Sequence, residues 1–125
     1  MELILGGAYQ GKLTWAAEKY ALSQGNCWDL EQGLPERAVR CVYHLEALTW
    51  AEAQRSGSSE SLLEKLLPRL PSDAVVIARE VGSGVVPMDA TERLWRELHG
   101  GAVKTLALRS AHVTRIFCGR PEELK

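Results

Sequence analysis

The sequence predicts a three-layer α/β fold built on one mainly parallel sheet. Three observations carry that expectation. Short apolar runs alternate with segments of helical spacing, the first run ends in two glycines, and neither an internal repeat nor a linker divides the 125 residues. Strands alternating with helices in a short chain imply right-handed βαβ crossovers, and ligands in such sheets sit at the carboxyl ends of the strands. A single domain over residues 1–125 fits the length, since a second core would need roughly 100 residues of its own.

Leu3-Ile4-Leu5 feeds Gly6-Gly7, as a buried strand feeds a tight loop. Lys12 to Ser23 places Leu13, Ala16, Ala17, Tyr20 and Ala21 at helical spacing, with Gly25 as the stop. Cys27 to Leu30 is a short second strand. Gln32 to Arg37 is a connection through Gly33 and Pro35, and Ala38 to Tyr43 is a third strand. Leu45 to Gln54 turns Leu45, Leu48 and Ala51 or Glu52 onto one helical face. After the loop Ser56-Gly57-Ser58-Ser59, Ser61 and Glu64 have capping-box spacing and open a helix carrying Leu62, Leu63, Leu66 and Leu67. That helix weakens by Pro68 and ends before Pro71. Ala74 to Ala78 is the clearest strand, and Glu80 to Pro87 is glycine-rich and irregular. Asp89 and Glu92 open a long helix from about Ala90 to Leu98, expected to break or kink at Gly100-Gly101 before resuming to about Ala111. Val113 to Cys118 is the last strand, followed by a charged tail.

Fifteen Lys and Arg oppose sixteen Asp and Glu, so the net charge is −1 and no basic field exists to hold a nucleic acid. No run approaches the roughly 20 apolar residues of a membrane span, and the first residues lack a basic stretch and an apolar stretch of a secretory signal. The expected location is the cytoplasm. Cys27, Cys41 and Cys118 form no C-x-x-C pair and read as buried small apolar side chains rather than a zinc or redox motif.

Gly6-Gly7-Ala8-Tyr9-Gln10-Gly11-Lys12 fits G-x-x-x-x-G-K between a strand and a helix, the context that a phosphate loop demands. The glycines let backbone N–H groups turn inward around a phosphate, and the helix N-terminus adds favourable partial charge. The expected nucleotide-binding residues are Gly6 to Lys12 with Leu13 and Thr14, and Lys12 is the expected bridge to the terminal phosphates. Leu13 stands where a Ser or Thr normally holds magnesium, and Thr14 points about 100° further round the helix. Phosphate binding is expected without the usual Mg2+ ligand.

Glu80-Val81-Gly82-Ser83-Gly84-Val85-Val86-Pro87 follows a strand and precedes a capped helix. This octapeptide resembles the E-V-G-x-G-I-V-P signature of the bifunctional adenosylcobinamide kinase and adenosylcobinamide-phosphate guanylyltransferase family. The phosphate loop is similar to that family's G-G-A-x-x-G-K, and Glu92-Arg93-Leu94-Trp95-Arg96-Glu97 to its E-R-x-F/W-R-D/E helix. Cys41 is matched to the family's D-C-L stretch, which puts Arg40 in the place of the magnesium acid. The resemblance implies a parallel-sheet P-loop kinase-like fold and ATP or GTP as the nucleotide. It also implies a corrinoid substrate in cobalamin biosynthesis and a homo-oligomer, by analogy a trimer. Lys12 and Glu80 are its catalytic candidates, and Glu80, Val81, Gly82, Ser83, Gly84 and Pro87 form its substrate loop.

The chain departs from that pattern. The family's guanylylated histidine lies in a segment this shorter chain lacks, and neither His44, His99 nor His112 stands in its motif. Arg79 replaces an Asn and Gly101 an Arg. Asp29 and Glu46, near carboxyl strand ends, are further acids, and Asp29 is the metal candidate. His44 reads as a base, an acceptor or a neutral hydrogen-bonded ring. Trp15, Trp28, Trp50 and Trp95 fit core packing or a subunit contact, with Trp15 and Trp95 the interface candidates. Arg93 and Arg96 fit a solvated helix face or an anion contact. Two functions compete: a reduced kinase without guanylyl transfer, and a non-catalytic nucleotide- or phosphate-binding partner or regulator.

Overall fold

The computed structural model describes residues 1–7, 11–81 and 89–125. Ala8, Tyr9 and Gln10 of the phosphate loop lie outside the described residues, as do Gly82, Ser83, Gly84 and Pro87 of the octapeptide. Six strands form one sheet among the described residues: β1 (Glu2–Gly6), β2 (Cys27–Asp29), β3 (Cys41–Tyr43), β4 (Val75–Arg79), β5 (His112–Phe117) and β6 (Arg120–Glu123). Their order is β2-β3-β4-β1-β5-β6. The first five run parallel, and β6 pairs antiparallel with β5. The helices are α1 (Lys12–Lys19), α2 (Leu45–Gln54), α3 (Ser59–Leu66) and α4 (Ala90–Arg109).

The apolar run Leu3-Ile4-Leu5 becomes the central strand because both faces of the sheet are covered. Leu3, Leu5, Val42, Val76 and Val113 pack with Leu45, Leu62, Leu66, Leu98 and Leu106 of α2, α3 and α4. Ile4, Cys41, Val75, Ile77 and Ile116 pack on the other face with Ala16 of α1. Each fully buried Leu or Ile contributes about 1.5–3 kcal/mol relative to exposure. Among the described residues the layers are therefore unequal, three α-helices on one face and one on the other. No helix among the described residues is long and apolar enough to cross a membrane.

Several boundaries differ from expectation. The first helix ends at Lys19, not Ser23, and the chain leaves it through Ala21 at φ 52 rather than through Gly25. The third strand keeps only Cys41–Tyr43 of the expected six residues. α3 starts one turn early: Ser58 is its N-cap and accepts from Ser61 N–H at 3.1 Å, while Ser61 Oγ accepts from Ser58 N–H at 3.2 Å. Serine thus replaces the usual Glu as the reciprocal partner.

α4 runs unbroken through Gly100 and Gly101. A Cβ on Gly101 would lie 3.0 Å from Ser59 Oγ, so this glycine permits close approach of α3 and α4. The charged tail, for which no element was expected, forms β6. Cys118 and Gly119, at φ 51 and 74, close a two-residue hairpin of the type that needs positive φ at both positions.

Candidate functional site

The parallel strands deliver Gly6, Asp29, Tyr43 and Arg79 to one edge of the sheet. Gly6 is there because nothing larger fits: a Cβ would sit 2.6 Å from the backbone oxygen of Ile116. Gly6 also accepts Glu80 N–H at 2.8 Å. Gly11 caps α1 at φ 79, a left-handed backbone that glycine adopts without strain. Lys12 opens the helix, and its Nζ donates to the Gly7 carbonyl at 2.7 Å. Burial holds the Lys12 ammonium below the usual lysine range. Glu46 and Glu80 pull it back up, and Arg79 opposes them.

A cavity of about 500 Å³ opens beside Lys12, lined by Gly11, Leu13, Thr14, Glu31, His44, Glu46 and Arg79 among others. Gly11, Lys12, Leu13 and Thr14, four of the residues expected to bind nucleotide, stand together in its lining. Glu46 Oε1 accepts the Arg79 N–H at 2.9 Å. Glu80 contributes charge, but its carboxylate pairs with Arg115 Nε at 3.3 Å and does not line the cavity. Asp29 Oδ1 accepts the Glu31 N–H at 2.9 Å and lies 2.8 Å from His44 Nδ1. His44 Nδ1 is also 3.3 Å from Glu31 Oε1.

Ligand atoms of Asp29, Glu31 and His44 lie within 4.8 Å of one another, the arrangement of a group able to hold a metal ion. The 2.8 Å separation of Nδ1 from Oδ1 is a hydrogen-bond length, and an Nδ1–H on His44 would donate to Asp29 Oδ1. We therefore read Asp29 as the acceptor for His44.

Arg40 is corrected. It precedes β3, at the opposite end of the sheet from Lys12. There its Nε pairs with Asp73 Oδ2 at 3.4 Å and its guanidinium donates to Tyr20 O at 3.1 Å. It does not occupy the place of a magnesium acid. The strand's carboxyl end is Tyr43, and His44 follows it. Sequence reasoning assigned no role to Glu31, Tyr43 or Arg79. The signal was their position at or just past carboxyl strand ends.

A buried network backs the cavity. His99 is 1% exposed, with Nε2 2.7 Å from Arg79 O and Nδ1 2.8 Å from Thr49 Oγ1. Burial lowers its pKa, against the raising effects of the Arg79 carbonyl and of Glu46. Trp95 Nε1 donates to Thr49 Oγ1 at 3.0 Å and to Glu46 O at 3.2 Å, and its ring meets Trp50 edge-on at 5.4 Å. Trp95 therefore ties α4 to α2 within the chain, where a subunit contact was one expectation. Trp15 is half-buried and meets Tyr20 edge-on at 6.3 Å. Arg96 pairs with Glu92 at 3.3 Å.

A family model described as cobinamide kinase / cobinamide phosphate guanyltransferase matches residues 39–124. The matched span is more than half of the chain, runs from just before β3 to just past β6, and starts after the phosphate loop. No curated protein matches the sequence.

Proposed function

The chain belongs to the cobinamide kinase / cobinamide phosphate guanyltransferase family, and from that premise we propose that it binds ATP or GTP beside Lys12 and phosphorylates adenosylcobinamide without transferring GMP. Membership ties it to nucleotide binding in cobalamin biosynthesis. The observation that carries the kinase reading is the Lys12 cavity itself. A partly buried ammonium stands at a helix start, on the carboxyl edge of a parallel sheet, in a space of about 500 Å³. Phosphoryl transfer asks for positioning and neutralisation of charge at the transferring group. The N–H groups at the start of α1 hold phosphate oxygens, and Lys12 supplies the full positive charge.

Magnesium is the family's companion to the nucleotide. Leu13 offers no oxygen where the loop's hydroxyl belongs, Asp29 Oδ1 is engaged by His44, and one oxygen of Glu46 is taken by Arg79 N–H. This residue set does not fit a magnesium held by the phosphate-loop side chain, so no step is assigned to the ion.

Leu13 favours a second reading, a non-catalytic nucleotide-binding partner or regulator. Titration with ATP and GTP, with and without magnesium, followed by transfer of labelled γ-phosphate to adenosylcobinamide, separates the two. Binding with transfer supports the kinase; binding without transfer supports the second reading. Labelled GTP should leave no covalent adduct on a denaturing gel. A homotrimer, carried over from the resemblance, is checked by sedimentation.

A further inference from the structure

We propose that Asp29 and His44 form a proton-accepting dyad that activates the acceptor hydroxyl, and that this acceptor enters through a second cavity on the far side of Tyr43. The proposal rests on the phosphoryl-transfer reading above and supplies the base that reading lacks.

Parallel pairing of β2 with β3 sets Asp29 opposite Tyr43, one residue from His44. His44 is held at φ 63 and ψ 44, a left-handed backbone that side chains other than glycine enter infrequently. Such outliers concentrate at functional sites, and here the observation leads the inference. With Nδ1–H directed at Asp29 Oδ1, 2.8 Å away, the neutral ring carries its lone pair on Nε2. The Tyr43 ring lies 4.8 Å from the imidazole and holds it from the side.

The second cavity has about 550 Å³ and is lined by Leu13, Leu22, Trp28, Asp29, Arg37 and Tyr43, among others. It shares Leu13 and Tyr43 with the Lys12 cavity. Asp29 lines one and His44 the other, so the dyad spans the partition. The Arg37 guanidinium lies 5.7 Å from the Trp28 ring centre. Arg37 covers that ring and donates to the carbonyls of Gly25 and Cys27, and the remaining wall of Leu13, Leu22 and Tyr43 suits an alcohol with an apolar body.

The acceptor oxygen forms a bond to the γ-phosphorus, and the bond from that phosphorus to the β–γ bridging oxygen breaks. The bridging oxygen leaves with the nucleoside diphosphate. The hydroxyl proton passes to His44 Nε2, and nothing is oxidised or reduced. Asp29 and Glu31 face the ring, and Lys12 and Arg79 stand across the cavity. The side chain is 41% exposed, which lets the proton leave to water.

The test measures transfer from ATP or GTP to adenosylcobinamide by wild type, His44→Ala, Asp29→Asn and Lys12→Ala. His44→Ala should lose roughly 10²–10⁴-fold in kcat, the range for a removed general base, with the KM for nucleotide held. Added imidazole should restore part of the loss in His44→Ala but not in Lys12→Ala. Asp29→Asn should lower kcat with nucleotide KM held and without imidazole rescue. If His44→Ala does not fold, His44→Asn, better suited to left-handed backbone, takes its place. A kcat within about threefold of wild type, or a loss that imidazole does not rescue, overturns the dyad alone. So does manganese binding without nucleotide that His44→Ala abolishes, because the cluster is then a cation site. A wild type that binds nucleotide but transfers nothing removes the kinase reading, and the dyad with it.

Discussion

Lys12→Ala tests whether the loop after β1 holds phosphate. The substitution removes the Nζ bond to the Gly7 carbonyl, 2.7 Å long, and the only formal charge in the sequence from Gly6 to Gly11 and on to Lys12. Alanine suits a helix at least as well as lysine, so α1 itself should persist. The loss at the site is that of a charge-assisted hydrogen bond, about 1.5–3 kcal/mol. That corresponds to roughly a 10- to 150-fold rise in Kd. Partial burial favours the upper half of the range, since a desolvated ammonium pairs more strongly with phosphate than a hydrated one. Calorimetric titration with ATP and GTP reads the change, and the thermal midpoint of each protein controls for folding. Leu13 supplies no metal ligand, so the loss should have nearly the same size with and without magnesium. Equal affinities for wild type and Lys12→Ala would make the loop a plain turn and refute the reasoning.

Two structural predictions follow. Glu52 is 1% exposed and accepts from Lys65, Arg55 and Ser61, each at 3.2 Å. Burial pushes its pKa up, but those hydrogen bonds together bring it below the usual range. Its contribution is therefore present above the ordinary glutamate pKa and fades as pH falls through the folded value. Both cations are more than half exposed and can rehydrate, so Glu52→Gln should cost about 1–3 kcal/mol at pH 7. Urea denaturation should show that gap closing in acid, and a constant gap would contradict the assignment. Gly6→Ala places a methyl 2.6 Å from the Ile116 backbone oxygen and should destabilise by about 1–3 kcal/mol while weakening nucleotide binding. An unchanged denaturation midpoint would show that the strand gives way.

The readable parts of the fold are those with local chemistry. Leu3 to Leu5 and Val75 to Ala78 are apolar runs that both faces of the sheet demand, and they emerge as the neighbouring strands β1 and β4. Gly6 to Lys12 is a local motif, so Lys12 could be found without knowing what surrounds it. β6 could not, because Arg120 to Glu123 is exposed at every residue and holds Pro121; its pairing comes from β5 and a tight hairpin. The glycine pair misled because a helix propensity is overridden when a glycine permits helix contact. Arg40 was misplaced through motif spacing alone, and only strand direction shows which end faces the site. The nearness of Asp29 to His44, 15 residues apart, depends on the β2–β3 register, which no single-sequence pattern carries.

The tie between Trp95 and Glu46 gives the molecule an optical handle on its own chemistry. The indole N–H of Trp95 is bonded to the backbone of a residue whose side chain lines the Lys12 cavity. Trp28 lies on the wall of the neighbouring cavity, its own N–H held by Gly33 O at 2.9 Å. Indole emission responds to the field and polarity around the ring. On the reading proposed above, a nucleotide beside Glu46 would perturb Trp95, and an alcohol in the neighbouring cavity would perturb Trp28.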